Sequence, residues 1–385
     1  MTARTRLLIS ALIVIVPVAG VLAAPTLIER RYNRIRNRPP YQVPTATREL
    51  HQRLFVADLH ADSLLWGRNL LHRSTTGHVD IPRLQEANVS LQVFSVVTTI
   101  PSNLNIERNA GSSDRVRYLS IAERWPPRTW NSPKERALYQ AAELGKFEAQ
   151  ARGNLVILRT RSDLQRFVVA RGKRIAVLLA AEGAQPLEGR LENLEPLYAA
   201  GFRMMSPTHF TDTEIGGSAS GLGRTGLSDL GRRWVRSMEA RDMLIDLAHA
   251  SSATLHDVTA IATKPVIVSH TGVKGTCNNN RNLSDDDLRA VARTGGVVGI
   301  GYWETAVCGR DAGAVARAIQ HAVSVIGVEH VALGSDFDGS TTTPFDVTGL
   351  PLITNALRDA HFSEHDIQLI MGGNVLRVLS ANLPE

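Results

Sequence analysis

The chain has 385 residues, 43% of them hydrophobic and 21% charged, a composition that is ordinary for a globular enzyme and argues against disorder or a coiled coil. Its length suits one large α/β barrel. The formal net charge of +6 arises entirely from residues 1–40, which hold seven arginines and one glutamate, so the remainder is formally neutral and we exclude nucleic acid as a partner.

The first element is an apolar segment from Leu7 to Ile28 that contains no charged residue and is long enough to span a bilayer. We expect it to be an uncleaved signal anchor, although Ala23 and Ala24 offer small residues to a signal peptidase. The protein would then be exported, and either membrane-anchored, periplasmic or extracellular. The arginines favour the opposite orientation under the positive-inside rule, because two precede the segment and five follow it.

Residues 29–46 combine five arginines with three prolines and are predicted to be a linker. We therefore divide the chain into an N-terminal anchor segment with its linker, residues 1–46, and one catalytic domain, residues 47–385. Within that domain, short apolar runs rich in β-branched residues alternate with longer helix-like segments, which is typical of repeated βα units.

Eight of these runs predict eight parallel strands, and hence an α/β fold of the (β/α)8 TIM-barrel type. The predicted strands are Leu54–Leu59, Leu91–Val97, Ile175–Ala180, Arg203–Ser206, Leu244–Leu247, Val266–Val268, Val297–Ile300 and Val331–Leu333. The gap between the second and third strands is too long for one helix, so we expect inserted helices there, including one at Pro133–Gln150.

Side chains that bind metal ions follow most of these strands. Catalytic groups of such barrels lie at the C-terminal ends of the strands, so these side chains should meet at one rim. The candidates are His60, Asp62, Glu182, His209, His249, His270, Asp336 and Asp338.

His60 and Asp62 are two residues apart, so at the end of an extended strand they face the same way and can bind one ion. A second pair with the same spacing, His78 and Asp80, precedes Ile81 in a non-strand context and is expected to be a structural turn. The alternative for His60 and Asp62 is a polar pair at the bottom of the barrel.

Glu182 follows an apolar run, where an unpaired carboxylate is unfavourable, and bridging two zinc ions would compensate its charge. The alternative is a buried salt bridge to an arginine. His249 and His270 end adjacent strands and offer neutral nitrogen ligands for a second ion. Each alone would suit a core histidine, but with the other three ligands a metal centre is favoured.

Three further residues suit a role in catalysis. Asp336 lies where it could take a proton from water and pass it to a leaving amine, although spacing alone does not separate it from Asp338. His209 could be a ligand or a substrate contact, and we choose a donor to the scissile carbonyl oxygen. Arg281 could bind a substrate carboxylate as a fork, or could be a surface arginine.

Cys277 and Cys308 follow neighbouring predicted strands, so a disulfide is plausible in an exported protein, with two buried thiols as the alternative.

Over residues 54–379 the sequence resembles the membrane (renal) dipeptidases. The similar motifs are Asp58–Asp62, Gly77–Leu84, Ile245–His249, Ser269–His270, Arg281–Asn282 and Gly334–Gly339. One departure is Gln185, which stands where relatives commonly have a histidine.

The resemblance implies a metalloprotease with two zinc ions, one held by His60, Asp62 and Glu182 and the other by Glu182, His249 and His270, so that Glu182 bridges. It also implies that Asp336 is the acid/base, that His209 and Arg281 contact the substrate, and that Cys277 pairs with Cys308. We then expect a hydroxide shared by the ions to hydrolyse dipeptides, including those with a C-terminal D residue.

Two alternative functions remain. The first is an amidohydrolase that acts on a non-peptide amide or lactam on the same scaffold, against which Arg281 argues. The second is a catalytically inactive, membrane-tethered binding protein, against which the five retained ligands argue. Besides the dipeptide and the membrane, a second copy of the chain in a homodimer is a candidate partner.

Overall fold

The computed structural model describes residues 25–385, and its centre is a curled sheet of parallel strands surrounded by helices. The strands are β1 (Arg34–Ile35), β2 (Val56–Ala61), β3 (Val89–Val97), β4 (Leu155–Ile157), β5 (Ile175–Glu182), β6 (Phe202–Met205), β7 (Leu244–Ile245), β8 (Ile267–Thr271), β9 (Val297–Ile300), β10 (Val331–Leu333) and β11 (Thr342–Thr343).

Helices occupy most of the chain between these strands. They are α1 (residues 25–32), α2 (Thr45–Arg53), α3 (Ile81–Glu86), α4 (Arg115–Ala122), α5 (Pro133–Gln150), α6 (Arg161–Val169), α7 (Leu194–Ala199), α8 (Asp229–Glu239), α9 (Ser252–Ile261), α10 (Asp285–Arg293), α11 (Glu304–Val307), α12 (Ala312–Ile326), α13 (Leu350–Asp359), α14 (Glu364–Gln368) and α15 (Asn374–Asn382).

The main sheet has the strand order β7-β6-β5-β3-β2-β10-β9-β8, and β4 pairs with the first half of β5. All of these pairs are parallel, so the C-terminal ends of the strands lie at one edge. The sheet curls until its outermost strands meet: Asp246, directly after β7, forms a parallel bridge with Ile267 of β8.

One apolar cluster contains residues from all eight strands of this order, which is possible only if they point to the inside of the curled sheet. Ala176, Leu178 and Ala180 are its members from β5. Because side chains alternate along a strand, Glu182 continues the same inward face at the end of β5. A buried apolar strand thus carries a carboxylate into the open end of the sheet.

Each of the eight strands predicted from the sequence coincides with a strand of the structure to within two residues at each end, except that β8 extends further, to Thr271. The mixed α/β class is confirmed, and α5 has the predicted bounds, with Ser132 accepting a hydrogen bond from the Glu135 N–H as its N-cap. The strands β1, β4 and β11, of two or three residues each, were not predicted.

The predicted anchor lies outside the described residues, except for its last four residues in α1. Among residues 25–385, no helix is long and apolar enough to cross a membrane. The predicted linker packs on the catalytic domain: β1 pairs with β11, and the Glu29 carboxylate is buried against the Arg68 guanidinium.

Candidate metal centre

The five side chains predicted to bind metal converge at the C-terminal edge of the sheet. Oε1 of Glu182 lies 3.6 Å from Nε2 of His60, 3.0 Å from Nε2 of His249 and 3.4 Å from Nε2 of His270. Oδ1 of Asp62 lies 3.3 Å from Nε2 of His60. All five residues are at most 5% exposed, so water hardly reaches their polar atoms.

His209 joins the same cluster, with its Nε2 3.3 Å from Oε2 of Glu182. Three groups of side chains could each bind a metal ion, because the potential ligand atoms within each group lie within 4.8 Å of one another. The sets are His60, Glu182 and His270; Glu182, His209 and His249; and His60, Asp62 and Asp336. Glu182 belongs to two of them, which gives one carboxylate access to two ion positions.

The donors fit a metal ion. Nε2 of His60, Oδ1 of Asp62 and Oε2 of Glu182 are buried and have no hydrogen-bond partner among the described residues. A buried polar atom without a partner costs roughly 1–3 kcal/mol, and a coordinated cation removes that cost. Imidazole nitrogens with carboxylate oxygens form a donor set that zinc prefers.

In the chain without a metal ion, burial disfavours the charged forms of the ligand side chains. It raises the pKa of Glu182 far above its usual value, an effect that the neighbouring Asp62 carboxylate strengthens. Burial lowers the pKa of His209 to about 3, and it lowers the pKa of His249 and of His270 well below the usual value. Neutral imidazoles are ready to bind a metal, and divalent cations would hold the carboxylates ionised.

Left-handed backbone turns present two of the site side chains. His249 has φ +64° and Asp336 has φ +57°, a region that non-glycine residues rarely occupy. Such strain persists where surrounding contacts fix the chain, and it is common at functional sites. Here the Ala219 N–H donates to the His249 carbonyl, and the Thr341 hydroxyl donates to the Asp336 carbonyl.

Two polar residues next to the ligands orient the imidazoles, although no pattern in the sequence assigned them this role. The Asp246 carboxylate accepts hydrogen bonds from the Ser269 hydroxyl, at 2.6 Å, and from the Ser269 N–H, at 2.8 Å. The same hydroxyl oxygen lies 3.0 Å from Nδ1 of His270 and 3.3 Å from Nδ1 of His60. Both residues lie within motifs of the family resemblance, Ile245–His249 and Ser269–His270, but a motif does not show which side chains its members contact.

Asp336 and Asp338, which spacing did not separate, have different surroundings. Asp338 is fully buried and accepts hydrogen bonds of 2.6 Å each from the Ser63 hydroxyl and the Arg68 guanidinium. Although burial raises its pKa, Arg68, His78 and the Ser63 hydroxyl together outweigh burial and hold the pKa of Asp338 well below its usual value.

The carboxylate of Asp336, in contrast, accepts no hydrogen bond from the described residues and lies with His60 and Asp62. Burial, together with Asp62, raises the pKa of Asp336 to about 8 against the opposing effects of His60 and Arg281. The turn of His78 and Asp80 is structural: His78 accepts from the Asp338 N–H, and Asp80 caps α3.

Arg281 lies beside the metal centre and is 5% exposed. Its guanidinium donates to the His270 carbonyl at 2.8 Å, and its Cζ lies 5.8 Å from the ring centre of Trp303. Trp303, which the sequence analysis missed, also stands 5.8 Å from the His270 ring, centre to centre. Aromatic residues between strands and helices carry no motif, so no sequence signal marked it.

The loops that carry Arg281 and Trp303 are joined. Cys277 and Cys308 form a disulfide, with Cα atoms 5.2 Å apart, as the resemblance implied. The amide of Asn282 donates to the carbonyls of Cys277 and Ala306. The bond and these contacts hold the two loops together at the edge of the site.

Gln185 also faces this region. Its side-chain oxygen and nitrogen are buried and have no hydrogen-bond partner among the described residues. Gly183, at φ +89°, makes room for it, since a Cβ at Gly183 would lie 1.9 Å from Oε1 of Gln185 and 3.1 Å from Cβ of His209.

Comparison with known proteins agrees with this geometry. The sequence model of a family described as membrane dipeptidase, peptidase family M19, matches residues 45–383. Dipeptidase aclJ of Aspergillus oryzae is 30% identical over 349 residues, which cover 85% of this chain and 78% of that protein.

Two solved structures share the fold. A metallopeptidase from Rhodobacter sphaeroides, liganded with a phosphinate mimic of the dipeptide L-Ala-D-Ala, matches with a TM-score of 0.72 and 24% identity, over 86% of this chain and 99% of that chain. The probable dipeptidase PvdM from Pseudomonas aeruginosa matches with a TM-score of 0.74 and 18% identity, over 88% and 98%.

Proposed function

The chain belongs to the membrane dipeptidase family, peptidase family M19, and is a metallo-dipeptidase; we propose that it uses two zinc ions bridged by Glu182. The observation that carries this proposal is the position of Oε1 of Glu182, within 3.0 to 3.6 Å of three imidazole nitrogens. Following the resemblance, His60 and Asp62 complete one site, and His249 and His270 complete the other. We also assign the curled sheet to the (β/α)8 barrels, since eight strands follow one another and a bridge joins β7 to β8.

Bound at this position, zinc supplies positive charge that polarises a peptide carbonyl and lowers the pKa of water. The residues of the chain then orient the substrate and move protons. The Arg281 guanidinium binds the terminal carboxylate of the dipeptide, which restricts substrates to short peptides with a free C-terminus. His209 donates a hydrogen bond to the scissile carbonyl oxygen as negative charge develops there.

Asp336 takes the proton from the attacking water and gives it to the leaving amine nitrogen. The Asp336 carboxylate suits this role because it lies with His60 and Asp62 and accepts no hydrogen bond from the described residues. The bound L-Ala-D-Ala mimic in the metallopeptidase from Rhodobacter sphaeroides supports including dipeptides with a C-terminal D residue among the substrates.

We further propose that the enzyme is exported and that residues 7–28 anchor it in a membrane. The uncharged sequence of that segment supports this. The disulfide between Cys277 and Cys308 also supports it, because disulfides persist in oxidising compartments.

The test is metal analysis of the full-length chain together with assays on Gly- and D-residue dipeptides and on cyclic amides. We expect two zinc ions per chain, with dipeptides as the preferred substrates, and loss of both metal and activity in Glu182→Gln. Glu192→Gln, which changes an exposed glutamate, is the matched control and should behave as the wild type. A chain without metal, or one that hydrolyses cyclic amides but not dipeptides, would contradict the proposal.

A further inference from the structure

A second cavity, of about 730 Å³, lies beside α1 and shares no lining residue with the metal centre. Its wall is rich in arginine. The lining arginines are Arg30, Arg34, Arg38, Arg73 and Arg83. Among the described residues that line it, Asp346 is the only carboxylate, and this group lies 3.2 Å from the Arg83 guanidinium. The cavity therefore concentrates positive charge.

Two of these arginines form ion pairs within the protein. Arg73 pairs with Glu86, and Arg83 pairs with Asp80 and Asp346. The other three, Arg30, Arg34 and Arg38, form no ion pair with any of residues 25–385, and residues 1–24 contain no aspartate or glutamate. These three side chains are exposed, and Nε of Arg34 donates to the Arg31 carbonyl. Together they keep a net positive charge around one cavity, which favours a bound anion.

A buried amide points to the same cavity independently. Asn33 lines it and is 5% exposed. Its Oδ1 accepts a hydrogen bond of 2.9 Å from the Ser340 N–H, whereas its Nδ2 is buried and has no partner among the described residues. A buried donor without an acceptor is unfavourable, so an acceptor atom of a ligand that reached Nδ2 would be stabilised there.

We propose that this cavity binds a phosphate group. One arginine fork satisfies a carboxylate, whereas the oxygens of a phosphate can accept from several guanidinium groups and an amide at once. The apolar sequence of residues 7–24 directly precedes α1, and arginines at such a junction attract anionic lipids. The phosphate thus comes from an anionic phospholipid head group or from soluble phosphate.

The experiment measures thermal unfolding of the full-length protein in a non-ionic detergent at constant ionic strength. The ligands are inorganic phosphate, short-chain phosphatidylglycerol and short-chain phosphatidylcholine. We expect inorganic phosphate or phosphatidylglycerol to raise the unfolding midpoint by about 2 °C or more at saturation.

The variants separate a built site from general charge attraction. Asn33→Asp keeps the acceptor for Ser340 but replaces the Nδ2 donor, and the double variant Arg30→Gln, Arg38→Gln removes two charges. Both should lose the stabilisation. Arg233→Gln, an exposed arginine of α8 outside the cavity, should keep it.

A shift with phosphatidylglycerol but not with phosphatidylcholine assigns the site to lipid head groups, and a shift with inorganic phosphate alone assigns it to soluble phosphate. No shift with any ligand, or equal shifts in all of the variants, would overturn the proposal. Dipeptide hydrolysis by the Arg30→Gln, Arg38→Gln variant should match the wild type, so this outcome is independent of the proposed catalytic function.

Discussion

Asp336 and Asp338 have separate roles because only the Asp338 carboxylate is held by hydrogen bonds within the protein. Asp338 accepts from Ser63 and Arg68 in the interior, whereas the Asp336 carboxylate lies open to the metal centre. We expect Asp336→Asn to lower kcat by about 10²- to 10⁴-fold, because it removes a proton carrier, with metal content unchanged.

Asp338→Asn is the matched comparison and should lower the unfolding midpoint, because Arg68 loses a buried carboxylate partner. Steady-state kinetics, metal analysis and thermal unfolding of both variants separate the two roles. An Asp336→Asn enzyme with wild-type kcat would exclude the proposed proton transfer.

Arg281 gives a second prediction for a single residue. Arg281→Met keeps much of the side-chain volume but removes the guanidinium fork, so kcat/KM for dipeptides should fall on the order of 100-fold. A dipeptide with an amidated C-terminus is the control substrate, since it lacks the carboxylate and should lose little. Equal losses for both substrates would show that Arg281 acts through the position of His270, whose carbonyl it contacts.

The residues around the metal centre could be predicted from the sequence only where the side chain itself is a typical metal ligand. His60, Glu182 and His270 were found because metal-binding side chains directly follow apolar strands. Trp303 and the role of Ser269 could not be found, because a tryptophan or serine at a strand end is common and only the folded chain shows what it touches.

At the scale of elements, α2 is attached to the body by a buried histidine. Nε2 of His51 donates to the Ala87 carbonyl at 2.9 Å, and Nδ1 lies 2.8 Å from the hydroxyl oxygen of Thr354 in α13. Burial lowers the pKa of His51 below its usual value, so the folded protein keeps this imidazole neutral. The unfolded chain, in contrast, binds a proton below about pH 6.5.

The stabilising contribution of His51 is therefore fully present above about pH 6.5 and is lost as the pH falls below it, by at most about 1.4 kcal/mol per pH unit. We expect the unfolding midpoint of the wild type to fall more steeply between pH 7.5 and 5.5 than that of His51→Gln. His365→Gln, which changes an exposed histidine that forms no ion pair with the described residues, is the control and should follow the wild type. Parallel curves for wild type and His51→Gln would contradict this assignment.

At the scale of the whole molecule, the eight strands of the curled sheet and α5 could be predicted because buried parallel strands and amphipathic helices each leave a pattern in the sequence. The packing of residues 29–46 could not, since a basic, proline-containing segment is typical of a linker. Glu29 nevertheless reaches Arg68, which also pairs with Asp338 on the loop of Asp336, so contacts distant in sequence connect this segment to the metal centre.

Folding stability and metal binding should be coupled across the molecule. The eight strands of the curled sheet end at the metal centre, where potential metal-ligand atoms are buried without a hydrogen-bond partner among the described residues. Removing the metal with a chelator is expected to lower the unfolding midpoint by roughly 5 °C or more, since the binding free energy of the ions is lost from the folded state. Titration with zinc should restore the midpoint after two equivalents per chain, whereas magnesium should not, because it prefers an all-oxygen environment and three of the five proposed ligand residues are histidines. Calorimetry of the chelated and reloaded full-length protein measures both effects. A midpoint that does not respond to chelation would mean that hydrogen bonds and ion pairs of the chain alone stabilise His60, Glu182 and His249, and the two-zinc proposal would then be wrong.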